Sequence, residues 1–66
     1  MGFQDEIGKI FKEAREKAGL TQAEVAKKAG IHVNYYARIE RGEPNARANI
    51  LNNIAKALNV KIQLPL

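Results

Sequence analysis

The stretch that decides the fold is residues 21–31, whose sequence is TQAEVAKKAGI. Thr21 is followed three residues later by Glu24, and this spacing forms a capping box that marks the start of a helix. Gly30 is typical of a helix end. The apolar positions between them share one helical face and are Val25, Ala26 and Ala29. The pattern predicts a helix over 22–29, about two turns long and too short to be stable alone.

Helical periodicity on either side predicts three more helices, over 4–18, 33–41 and 48–58. Their core-facing positions are expected to be Ile7, Phe11, Ala14, Ala18, Tyr36, Ile39, Leu51, Ile54, Ala55 and Leu58, with the hydroxyl of Tyr36 reaching the edge of the core. Pro44 prevents a continuous helix between the third and fourth segments. The fold class is therefore all-α, and the short helices must pack on one another.

Near the end of the chain, the spacing of apolar residues changes from a helical period to alternation. Over residues 60–64, VKIQL, the apolar residues Val60, Ile62 and Leu64 alternate with polar ones, which predicts a strand. A lone strand in a helical chain leaves its backbone groups unpaired. Pairing with the same strand of a second copy would satisfy them, so we expect a homodimer that uses these three residues.

Composition narrows the class of protein. A chain of 66 residues is expected to form one domain, 1–66. It has no cysteine and one histidine, so we expect no disulfide, no metal site and no cofactor. The 11 Lys and Arg residues exceed the 7 Asp and Glu residues, which favours a polyanionic partner. No apolar run reaches the ~20 residues of a membrane span, and no signal peptide is apparent, so we expect a cytoplasmic protein with no membrane partner.

Two short helices joined by a turn at Gly30 form a helix-turn-helix unit. In such a unit the second helix enters the major groove of DNA, and the first crosses the backbone. Those helices would be 33–41 and 22–29. Spacing alone is a weak indication, because other small helical bundles share it.

Three blocks in register make the indication specific. Residues 21–31, residues 37–42 (ARIERG) and residues 54–60 (IAKALNV) closely resemble the phage repressor/Cro-type, XRE-like helix-turn-helix family. The resemblance runs from about Ile7 to Val60. It implies a lambda-repressor-like bundle of four to five helices that binds double-stranded operator DNA, usually as a homodimer on a near-palindromic site.

By this resemblance, the base-contacting positions are Val33, Asn34, Ala37 and Arg38. Their chemistry suits the role, because Arg pairs with guanine O6 and N7, Asn pairs with adenine, and Val can contact a thymine methyl group. The alternative for Asn34 and Arg38 is an ordinary solvated helix face.

The resemblance also implies contacts to DNA phosphates. Gln22 occupies the position at which a glutamine bonds a phosphate and braces the recognition helix. The phosphate-contacting set is expected to be Thr21, Gln22, His32, Tyr35, Arg41, Asn45 and Arg47, with Lys28 a weaker candidate. His32 stands where the family usually has Ser or Thr as the N-cap, and a histidine is expected to start that helix less firmly.

Arg15 and Glu40 resemble the family's buried ion pair between the first and third helices. Such a pair fixes geometry more than it adds net stability.

Three other functions are compatible with a chain of this size. An enzyme is disfavoured because one histidine and solvated carboxylates offer no convergent catalytic groups. So short a chain is also expected to lack a pocket of ~300 Å³ or more, so no small-molecule substrate is expected. The main alternative is an antitoxin of the HigA or HipB type, in which a strand directly follows the helix-turn-helix and a toxin protein is a second partner. A protein-interaction module without DNA binding is a third possibility, which the net positive charge disfavours.

Overall fold

The computed structural model describes residues 2–43 and 46–61, and this part of the chain is all-α. It contains four helices: α1 (Phe3–Lys17), α2 (Gln22–Ala29), α3 (Val33–Glu40) and α4 (Ala48–Leu58). α1 begins and ends one residue earlier than predicted, and α3 ends one residue earlier. α2 packs against α3 and α4, and α1 closes the bundle by packing against α3 and α4.

The helices stop where the sequence places residues that tolerate a left-handed backbone. The residues with positive φ that follow them are Gly19, Gly30, Gly42 and Asn59. After each of them, the next amide donates to a carbonyl five residues earlier, at 2.9 to 3.1 Å. Such a bond is typical of a helix that ends in a left-handed residue. The same capping geometry therefore sets the direction in which the chain leaves each of the four helices.

The core is formed by one face of each helix. Its buried apolar residues are Ile7, Phe11, Val25, Ala26, Ala29, Tyr36, Ile39, Leu51, Ile54, Ala55 and Leu58. Two expectations were wrong. Ala18 is exposed, because α1 ends at Lys17 and the helical period no longer applies to the turn. The hydroxyl of Tyr36 does not reach the edge, since the side chain is 0% exposed.

α1 and α3 approach so closely that Gly8 is required between them. A Cβ atom at position 8 would lie 2.5 Å from the carbonyl oxygen of Ile39 and 2.6 Å from that of Glu40. Backbone atoms cannot rotate away as a side chain can, so no larger residue fits without separating the helices. Arg15 lies two helical turns beyond Gly8 on the same side of α1. The close crossing therefore places Arg15 beside the end of α3.

The predicted strand over 60–64 is not found in the described residues. Val60 and Lys61 have no strand conformation. Val60 instead donates its amide to Ala55 at 2.9 Å and packs its side chain partly against the core. The cause is the left-handed turn at Asn59, which folds the chain back onto α4. Ile62 and Leu64 lie outside the described residues.

None of the helices in the described ranges is long and apolar enough to cross a membrane.

Candidate nucleic-acid interface

The outer face of α3 carries the four predicted base-contacting residues. Asn34 and Arg38 are exposed and lie one turn apart, so their side chains project side by side. Val33 and Ala37 are half-buried, and Val33 packs partly against the core. The structure therefore presents two polar side chains outward and places the two small apolar ones at the base of the same face.

The start of α2 lies next to this face. Thr21 is the N-cap: its hydroxyl accepts the amide of Glu24 at 3.1 Å, and its amide donates to the Glu24 carboxylate at 2.8 Å. The bond from the Thr21 amide to the carboxylate lowers the pKa of Glu24. Gln22 follows and donates its side-chain amide to Glu40 at 2.9 Å. The glutamine thus links the start of α2 to the end of α3, and Thr21 beside it remains exposed.

A buried ion pair connects α1 to the same point. Arg15 donates Nε to Glu40 Oε2 at 2.7 Å and Nη2 to Glu40 Oε1 at 3.2 Å, and it donates Nη1 to the Leu20 carbonyl at 3.0 Å. The Glu40 side chain is 3% exposed and that of Arg15 is 14% exposed. The hydrogen bond that Arg15 donates to Glu40 raises the pKa of Arg15.

The carboxylate of Glu40 stays charged despite its burial. Burial acts to raise the pKa of Glu40, but the hydrogen bonds that it accepts, first from Arg15, outweigh burial and keep the pKa below its ordinary value. Tyr36 lies beneath this cluster, and burial strongly raises the pKa of its hydroxyl. That hydroxyl is buried without a hydrogen bond of regular geometry. The helix that carries Asn34 and Arg38 is therefore fixed at its far end by a charged cluster.

The N-terminal end of α3 is fixed by His32, and the expectation of a weak cap was wrong. Its Nδ1 atom accepts the amide of Asn34 at 3.0 Å, as the oxygen of a serine or threonine cap would. A ring nitrogen that accepts carries no proton, so in the neutral ring the proton lies on Nε2. The exposed ring thus presents a donor outward, next to Asn34.

The other predicted phosphate-contacting residues differ in their surroundings. Arg47 is exposed at the N-cap of α4, where its side chain makes no capping bond. Tyr35 is half-buried and packs partly against the core, so less of its ring is available than the sequence indicated. Lys28 lies elsewhere, in a groove with Asn53 and Lys56. Asn45 lies outside the described residues.

One cluster of charged side chains at this surface was not predicted from the sequence. Glu43 Oε2 contacts Arg41 Nε at 2.5 Å, and Glu43 Oε1 lies 3.6 Å from Arg38 Nε. Two of the predicted DNA-contacting arginines therefore share one carboxylate. Arg38 and Arg41 lie three residues apart at the end of α3, but this spacing alone does not show that both turn toward Glu43.

An open groove runs beside the interface, between α1, the start of α2 and α3. Its lining residues include Lys12, Thr21, Gln22, Ala37 and Arg41. Its volume is about 610 Å³. A typical ligand pocket begins at ~300 Å³, so the expectation that so short a chain lacks a space of this size was wrong. The sequence did not predict Lys12 at this groove, because its position on α1 is typical of an ordinary solvated residue. Within residues 2–43 and 46–61 no cluster of side chains suited to a metal ion is found.

Comparison with known proteins identifies the family. The helix-turn-helix family profile matches residues 11–64, and the chain belongs to this family, of the XRE type. An uncharacterized HTH-type transcriptional regulator of Mycobacterium tuberculosis is 32% identical over 57 residues, which cover 86% of this chain and 41% of that protein. The chain thus spans about two fifths of that relative's length.

Two further proteins are similar over more of their length. An uncharacterized HTH-type transcriptional regulator of Archaeoglobus fulgidus is 35% identical over 53 residues, which cover 80% of this chain and 76% of that protein. The crystal structure of the restriction-modification controller protein C.AhdI from Aeromonas hydrophila superposes with a TM-score of 0.83 at 28% identity, covering 88% of each chain.

Proposed function

We propose that this chain is a sequence-specific double-stranded DNA-binding transcriptional regulator that places α3 in the major groove. The observation that carries the proposal is the exposed pair Asn34 and Arg38 on a helix fixed at both ends. His32 fixes its start, and Glu40 fixes its end. A rigid helix with outward amide and guanidinium groups suits direct reading of base edges. The names of the similar proteins, regulators and a controller, support the same function.

The neighbouring residues suit contacts to the DNA backbone. Thr21 and Gln22 at the start of α2 lie beside α3, Arg47 stands at the start of α4, and helix N-termini favour phosphate groups. Tyr35, His32, Arg41 and Asn45 complete the proposed set. Such contacts set orientation without reading sequence.

The proposed active form is a homodimer on a near-palindromic operator. The main support is size, because a single domain of this length has a small core and gains from association. Ile62 and Leu64 remain the proposed contacts, whereas Val60 is partly covered by its own core. A dimer is expected in sedimentation at micromolar concentration, and Ile62→Lys is expected to give a monomer. A wild-type monomer would contradict this part of the proposal.

The antitoxin alternative depended on a strand directly after the fourth helix. Val60 and Lys61 are not in a strand. No feature of the described residues therefore favours a toxin partner over simple regulation.

The test is selection of bound duplexes from random DNA, followed by affinity measurements at 50 and 200 mM salt. An enriched palindrome with half-sites about one helical turn apart is expected. Arg38→Ala should cost roughly 1–3 kcal/mol on the selected duplex and relax the preference at one base pair. Arg47→Ala should weaken all duplexes alike and reduce the slope of log affinity against log salt by about 0.9. Absence of any enriched sequence would contradict sequence-specific binding.

A further inference from the structure

The position of Glu43 is set by the backbone, and not by chance placement of a long side chain. Gly42 has a φ of +75°, and the amide of Glu43 donates to the carbonyl of Arg38 at 3.1 Å. These features fix the residue directly past the end of α3. Its carboxylate therefore starts from a defined point beside Arg38 and Arg41.

Each carboxylate oxygen of Glu43 faces a different arginine, and both are approached through Nε. Arg41 Nε is hydrogen-bonded, and Arg38 Nε lies at 3.6 Å. The hydrogen bond from Arg41 lowers the pKa of Glu43, so the group is an anion at neutral pH. In the described part of the chain, the side chain of Arg38 has no other ion pair or hydrogen bond, and its terminal nitrogens remain available for another partner.

Stability does not account for this cluster. The side chains of Arg38, Arg41 and Glu43 are 54%, 58% and 48% exposed. Exposed ion pairs contribute little to stability and weaken as salt rises. Contacts this weak can be exchanged for contacts to another anion.

We propose that Glu43 is a specificity-determining residue, which lowers binding to non-cognate DNA by competing with phosphates for Arg38 and Arg41. This inference rests on the proposed function. On non-cognate DNA both arginines would have to leave Glu43 in order to reach phosphates. On the cognate site only Arg41 would have to leave, because Arg38 can offer its terminal nitrogens to guanine while Nε stays beside Glu43. The competition therefore disfavours non-cognate binding more than cognate binding.

The experiment compares Glu43→Gln with Glu13→Gln, which removes the same charge from an exposed position of α1. Affinity is measured for the selected duplex and for a scrambled duplex of equal length, at 50 and 200 mM salt. For Glu43→Gln on scrambled DNA, one additional phosphate contact should steepen the log–log salt slope by about 0.9 and raise affinity at low salt roughly threefold. Affinity for the selected duplex should rise by a smaller factor, because only Arg41 leaves Glu43 there, so the ratio of the two affinities should fall.

The double variant Arg41→Gln, Glu43→Gln tests whether the effect passes through the contact. Arg41→Gln should reduce scrambled-DNA affinity more in the Glu43→Gln background than in the wild type. Equal reductions in the two backgrounds, or equal behaviour of Glu43→Gln and Glu13→Gln, would overturn the role of Glu43 while leaving the proposed function intact. A wild-type protein that binds no duplex would overturn both. Thermal unfolding of each variant checks that the fold is retained.

Discussion

Two arginine–glutamate contacts in this domain have the same chemistry and opposite surroundings. In the pair Arg15–Glu40 the side chains are 14% and 3% exposed, whereas in the pair Arg41–Glu43 they are 58% and 48% exposed. The first pair joins α1 to α3 across the chain, and the second spans a single turn. The difference teaches that burial determines what a charge pair contributes. A buried pair constrains the packing of helices, and an exposed pair remains exchangeable.

Removing one member of the buried pair should cause the largest loss in the free energy of unfolding. Glu40→Ala strands the charge of Arg15 and leaves the amide of Gln22 without its acceptor. The expected loss is about 3–5 kcal/mol, most of the stability of a domain this small. Urea or thermal unfolding measures it, with Glu43→Ala and Arg38→Ala as controls that should each lose far less stability. Small and equal shifts for all three variants would show that burial does not separate the two pairs.

The second test alters the helix crossing that brings the buried pair together. An alanine in place of glycine inside a helix ordinarily adds about 1 kcal/mol of stability. At Gly8 the added Cβ would collide with the carbonyl oxygens of Ile39 and Glu40, so we expect Gly8→Ala to lose roughly 1–3 kcal/mol instead. The exposed neighbour variant Lys9→Ala serves as the control and should change the free energy of unfolding little. A stabilised Gly8→Ala variant would contradict the close crossing.

A smaller effect is expected at the exposed start of α3. His32→Ala removes the acceptor for the amide of Asn34 and should lose about 1 kcal/mol of stability in urea unfolding, as other N-cap deletions do. His32→Ser keeps an acceptor and should retain most of that stability. If the two variants were equally stable, the ring nitrogen would not be acting as a cap.

The last prediction concerns the dependence of stability on pH, which should appear only in acid. Because the pKa of Glu40 is lowered in the folded state, its contribution to stability is complete above the unfolded pKa, about 4.3, and is lost as pH falls through the folded pKa. Wild-type stability should therefore fall in acid, and Glu40→Gln should show a flatter profile below that pH. Glu13→Gln should keep the wild-type profile. Identical profiles for all three proteins would show that Glu40 is not the group responsible.

The sequence was sufficient for the helices and most of the core because both depend on local rules. A capping box at Thr21, glycines after the helices and a 3.6-residue period each act within a few residues. The prediction failed where tertiary context decided the outcome. Alternation over 60–64 indicated a strand, but the turn at Asn59 directs Val60 onto the core.

The candidate site was only partly predictable for a related reason. The resemblance indicated which positions of α3 face outward, and Asn34 and Arg38 do so. It could not show that His32 would supply a capping nitrogen, because that depends on the orientation of its ring. The position of Glu43 was equally hidden, because sequence separation alone does not say that two arginines will turn toward one carboxylate.

The hydrogen bond between Gln22 and Glu40 has a consequence for the entropy of binding. A flexible side chain that becomes ordered on contact with DNA loses rotamer freedom, at a cost of about 0.5–1.5 kcal/mol. Gln22 is already held by a buried carboxylate in the free protein, so most of this loss is incurred during folding. Arg47, exposed and without a capping bond, would lose its freedom only on binding. Of two side chains proposed to meet the same phosphate backbone, one is ordered in advance and the other remains free to adapt.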